Sequence, residues 1–155
     1  MIRTNTEYKN TLNRLEEDKK TMGAYKQNFI EQGYEGEELN RLMQPLISFH
    51  NQLKEEVEAY ERIKRGDLGA IFNLKSIGRW LIGARIALEL TQKEFAEKTG
   101  VTEAQVSRDE INEYHGITLD RAQKIIDALN IHFKAEIEEP TPFDKKHDDS
   151  KYAFA

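Results

Sequence analysis

A chain of 155 residues with 23 basic and 28 acidic side chains, formal charge −5, has room for one ordinary domain, or for a small domain with an elongated accessory element. Charged residues at 33% and hydrophobic ones at 38% exclude a disordered chain and suit a helical protein with much exposed surface. The absence of cysteine excludes disulfide staples and thiolate metal sites, and no apolar run approaches the roughly 18 residues needed to cross a bilayer, so a cytoplasmic protein without membrane contact is expected.

Residues 1–66 are expected to form an antiparallel helical hairpin of coiled-coil character. Thr4 and Glu7 have the S/T-x-x-E spacing of a capping box, and Tyr8, Leu12, Leu15, Met22 and Phe29 then recur on one helical stripe. Gly33 and Gly36 mark a turn, after which Leu39, Leu42, Leu46, Phe49, Leu53, Tyr60 and Ile63 continue the pattern. Pro45 interrupts it. Either the second helix kinks there or a new helix starts with Pro45 in its first turn, and the second option is preferred. The hairpin is assigned to dimerisation or partner binding.

Residues 67–75 read as a linker around Gly66, Asp67 and Gly69. In residues 76–130, Ile77, Trp80, Leu81, Ala84 and Leu88 share one face of a first helix. Thr91-Gln92-Lys93-Glu94 is a second capping box, and Gly100 ends the short helix that it opens. Thr102-Glu103-Ala104-Gln105 has the spacing of a third. Small Ala96 allows the two helices to cross, Val101 and Val106 fill the space between them, and Thr118 caps a further helix carrying Ala122, Ile125, Ile126 and Leu129. Two short capped helices joined by Thr99-Gly100-Val101 match a helix-turn-helix, whose second helix presents its N-terminal side chains to the major groove. Beyond Asn130, apolar Ile131, Phe133, Ala135 and Ile137 alternate with polar residues, so a short β-strand is expected over 131–139 and a disordered tail over 140–155.

Arg85, Leu90-Thr91-Gln92, Phe95-Ala96, Gly100-Val101-Thr102, Val106-Ser107-Arg108 and Glu110 together resemble the Cro/repressor-like Xre family. The resemblance implies a lambda-repressor-like helical bundle and a mainly α chain. It implies a sequence-specific transcriptional regulator, working as a homodimer on a palindromic site in double-stranded DNA. Gln92 would then contact a phosphate, with Thr91 beside it. Glu103, Ala104 and Arg108 would face the bases, Arg108 suiting guanine and Glu103 a cytosine amine. Thr102 and Ser107 would lie near the backbone, with Gln105 among them, and Tyr114 and His115 would reach DNA from the connection that follows. Asp109 departs from the family, which has an apolar or aromatic residue there. The long N-terminal hairpin and the Asn112–Thr118 connection resemble a subgroup of Xre regulators found beside toxin or metallopeptidase genes, which implies an antitoxin with a toxin partner.

The charge balance narrows how DNA can be held. Residues 1–66 hold 11 basic and 12 acidic side chains, residues 75–130 hold 8 and 9, and residues 131–155 hold 4 and 6. No basic block exists, so affinity has to come from a few placed side chains and helix N-termini. Four histidines without metal-ligand spacing, and the absence of phosphate loops and nucleophile motifs, speak against an enzyme and against any cofactor or metal. The rival reading is a protein-interaction module working through its hairpin.

Overall fold

The computed structural model describes residues 1–71 and 73–134. Two long helices come first, α1 (Asn5–Glu31) and α2 (Gly36–Lys64). A 3-10 turn at Leu74–Ser76 leads into four shorter ones, α3 (Ile77–Ala87), α4 (Gln92–Thr99), α5 (Glu103–Ile111) and α6 (Leu119–Ala128).

Each end of these helices has a local cause. Thr4 Oγ1 accepts the Glu7 N–H at 3.1 Å and starts α1, while the Glu7 carboxylate turns back to the Arg3 N–H at 2.7 Å. All six described helices close alike, by an N–H that returns to the carbonyl five residues earlier, as from Tyr34 to Phe29 and from Val101 to Ala96. That closure needs a left-handed residue just before the donor. Glycine supplies it at positions 33, 66 and 100, but Glu89, Glu113 and Asn130 adopt it at φ 57°, 50° and 53°. Side chains held there cost about 1 kcal/mol each, which the surrounding packing must offset.

The helix expected to restart at Pro45 does not: α2 runs through it unbroken. Pro45 is exposed, where water can satisfy the carbonyl that its missing N–H leaves open. α1 and α2 run in opposite directions. Tyr8 stacks on Tyr60 with ring centroids 5.0 Å apart and donates to Glu61 at 2.7 Å, and the Arg14 guanidinium lies 4.7 Å from the Phe49 ring centroid. Tyr25, Ile30, Tyr34 and Leu42 towards the turn between them, and Phe49 midway along α2, stay 38–48% exposed.

α3 is the centre of the molecule. Six consecutive residues, Leu81 to Ile86, are buried, which an amphipathic surface helix cannot achieve and a helix enclosed on all sides does. α2 packs on it from one direction, and α5 and α6 from others. Gly83 lets the end of the hairpin approach, since a Cβ there would stand 3.0 Å from a Leu68 methyl. Ile2, Leu15, Val57 and Tyr60 therefore belong to the same buried cluster as Leu81, Phe95, Val106 and Ile125.

The strand expected over 131–139 is not formed in its described part. Residues 131–134 are irregular, and no strand occurs among the described residues. The apolar alternation there is met by other means. The Ile131 N–H closes α6 on Ile126, and Phe133 sets its edge against Trp80 with centroids 6.5 Å apart. Residues 135–139 of that expected strand and the whole of the expected tail, 140–155, lie outside the described residues.

Candidate nucleic-acid interface

α4 and α5 meet at a tight corner that the local sequence dictates. Thr91 and Glu94 form a complete capping box: the Thr91 N–H donates to the Glu94 carboxylate at 2.8 Å, and the Glu94 N–H to Thr91 Oγ1 at 3.2 Å. The Thr91 N–H and, at 2.7 Å, the Thr91 hydroxyl both donate to the Glu94 carboxylate and hold that carboxyl below its usual range. Gly100 takes the left-handed turn at φ 71°, and Thr102 Oγ1 caps α5 by accepting the Gln105 N–H at 3.2 Å. Buried Phe95, Ala96 and Val106 fill the angle between the helices.

Beneath this corner lies a buried ion pair. Arg85 of α3 is 3% exposed and Glu110 of α5 is 0% exposed. The guanidinium grips the carboxylate through Nε and Nη2, the latter at 2.8 Å. Its remaining N–H groups reach the Leu90 carbonyl at 2.6 Å and the Arg3 carbonyl at 2.8 Å, and the Gln92 amide donates to Glu110 at 2.8 Å. One network thus ties together the starts of α1 and α4 and the body of α5.

On the outer side of α5 the bonding pattern differs from the expected one. The third capping box is incomplete, because the Gln105 side chain does not accept from the Thr102 N–H. Its amide donates to Asp109 at 2.8 Å and its carbonyl accepts from Arg108 at 2.9 Å. The charged Arg108 donor thus takes the carbonyl oxygen that the Thr102 N–H would use, and water can reach that N–H instead. Asp109 in turn is paired with Arg121 of α6. Arg108 makes no ion pair among the described residues, so its charge is uncommitted.

Residues 82–134 match the model of the helix-turn-helix family HTH_3. The match covers about a third of the chain and marks that segment as similar to helix-turn-helix domains. The family is one of DNA-binding regulators and not of enzymes. Neither the search of curated proteins nor that of solved structures finds a match.

Within the helix-turn-helix domain, Thr102, Glu103, Ala104 and Arg108 are exposed together on the first two turns of α5, with Ser107 and Gln105 half-buried beside them. Thr91 is exposed and Gln92 half-buried at the start of α4, where one amide N–H is already committed to Glu110. His115 is exposed on the connection after α5. Tyr114, its neighbour, is instead 6% exposed and packed in the core. Burial, then the nearby Glu110 and Asp109 carboxylates, push its phenol far above the ordinary range. The structure brings the α4 and α5 residues to one corner and leaves Tyr114 out of that surface.

Three participants went unread in the sequence. Arg121 pairs with Asp109 from a helix whose legible features were its Thr118 cap and its apolar stripe. The Arg3 carbonyl is backbone, which no side-chain pattern can reveal. Gly78 faces the Glu113 carbonyl so closely that a Cβ there would lie 1.9 Å from the oxygen. Its only sequence signal was a glycine inside a helical pattern.

Proposed function

We propose that this protein is a sequence-specific DNA-binding transcriptional regulator that places α5 in the major groove. The observation that carries the reading is the match of residues 82–134 to a family of DNA-binding regulators, over a segment whose second helix leaves Thr102, Glu103, Ala104 and Arg108 accessible. Arg108 is the residue to read a base edge. Gln92 and the first N–H groups of α4 favour a phosphate, with Thr91, Thr102, Ser107 and His115 near the backbone. Tyr114 acts from below by supporting the connection.

The domain is nearly charge-balanced, so one copy gains little from general phosphate attraction. The working unit is a cytoplasmic homodimer on a palindromic operator, and residues 1–66 supply the contact between copies. A repressor that also serves as the antitoxin of a neighbouring toxin gene is the specific form suggested by the resemblance. The exposed aromatic residues of the hairpin favour a second reading, in which Tyr25, Tyr34 and Phe49 hold another protein and DNA contributes nothing.

An electrophoretic shift with the gene's own upstream duplex separates the two readings. At low salt the protein shifts that duplex. Arg108→Ala relaxes discrimination at one base pair by roughly 1–3 kcal/mol, whereas Gln92→Ala weakens all duplexes alike. No shift at low salt would remove the regulator reading and leave the interaction module.

A further inference from the structure

We propose that Asp109 and Arg121 are positioning residues that set where Arg108 points, and so which base it reads. The proposal rests on the DNA-binding reading above. Four side chains form an uninterrupted relay: Arg121 pairs with Asp109, Asp109 accepts from the Gln105 amide at 2.8 Å, and Gln105 accepts from Arg108 at 2.9 Å. The relay fixes the polarity of each member. Because Asp109 only accepts, Gln105 must present its N–H groups to it and its carbonyl to Arg108. An amide turned the other way would set N–H against guanidinium.

Packing alone does not hold this arrangement. Asp109 and Arg121 line a cavity of about 390 Å³ between α4, α5 and α6, together with Phe95, Val106 and Tyr114. With open space beside it, the Asp109 carboxylate is kept in place by Arg121. Arg121 is 43% exposed and Asp109 15%, so replacing Arg121 removes little buried contact. α6 thereby acts on base choice without touching DNA.

The test is selection from a randomised duplex library, followed by affinity measurements on every single-base variant of the selected site and on a scrambled duplex. Asp109→Ala is expected to lower affinity for the selected site roughly tenfold, the size of one misplaced base contact, with the scrambled duplex unchanged. Its loss of preference falls at the same base pair as that of Arg108→Ala, and the double variant is no worse than Arg108→Ala alone. Arg121→Lys retains most of the preference, while Arg121→Met behaves as Asp109→Ala. Asp109→Asn preserves volume and is included against misfolding, with thermal unfolding followed in parallel. An unchanged base profile in both Asp109 variants would overturn the proposal while leaving DNA binding intact. Additive losses from Asp109→Ala and Arg108→Ala would overturn it as well. If the wild-type chain selects no duplex, the DNA-binding reading itself fails, and this inference with it.

Discussion

Replacing Glu110 with alanine destabilises the protein by about 3–5 kcal/mol, because it strands the Arg85 guanidinium in the core without its counter-charge. Against a total stability of about 5–15 kcal/mol for an ordinary domain, such a loss leaves a large unfolded fraction. Glu110→Gln keeps the volume and fares little better. Its amide oxygen can accept from one Arg85 N–H, but in either orientation its N–H2 faces another N–H of the guanidinium, donor against donor. Changing both members, Arg85→Met with Glu110→Leu, should cost less than either single change, since no uncompensated charge stays buried. Urea unfolding of these variants, the two single changes of the double variant and the wild type decides the matter. A Glu110→Gln midpoint indistinguishable from the wild type would show that the pair does not hold α3 to α5.

The second large effect concerns Gly78. In an exposed helix, alanine at a glycine position gains about 1 kcal/mol from propensity. Here the sign reverses, because the added methyl would meet the Glu113 carbonyl oxygen at 1.9 Å and its carbon at 2.8 Å, and both are backbone atoms. A flexible side chain could swing aside, but a peptide held in place by two consecutive left-handed residues, Glu113 and Tyr114, cannot. Gly78→Ala is expected to cost about 3 kcal/mol, the upper end of what overpacking usually does. Calorimetry would register this as a lower Tm. A stabilised Gly78→Ala variant would mean that the connection after α5 yields freely, contrary to the close approach described.

The contrast between these two sites explains how far the sequence could be read. Helix starts were legible because their chemistry is local: Thr4, Thr91, Thr102 and Thr118 each sit three residues before the N–H that they accept. Helix ends were legible at Gly33 and Gly100, which announce the left-handed turn. They were hidden at Glu89 and Glu113, where tertiary contacts impose that conformation on ordinary residues. The alternation after Asn130 suggested a strand because a period-two apolar pattern does not say whether the partner is a sheet or, as for Phe133, the side of Trp80. At the candidate interface the positions on α4 and α5 followed from spacing, whereas the direction of Gln105 followed from Asp109 and Arg121, a pairing between helices. Tyr114 was misplaced for a related reason. Its surroundings are set by the approach of the connection to Gly78, not by its neighbours in the chain.

The buried cluster that runs from Ile2 and Val57 through Leu81 to Ile125 has a consequence for cooperativity. A hinge between independent units would let the long helices melt while the rest of the chain stayed folded. A shared interior, stitched by the Arg3 carbonyl on Arg85, instead couples their unfolding into a single event. Chemical denaturation read by helix content and by Trp80 fluorescence should therefore give coincident curves. Two separated transitions would show that the chain comes apart near residue 70.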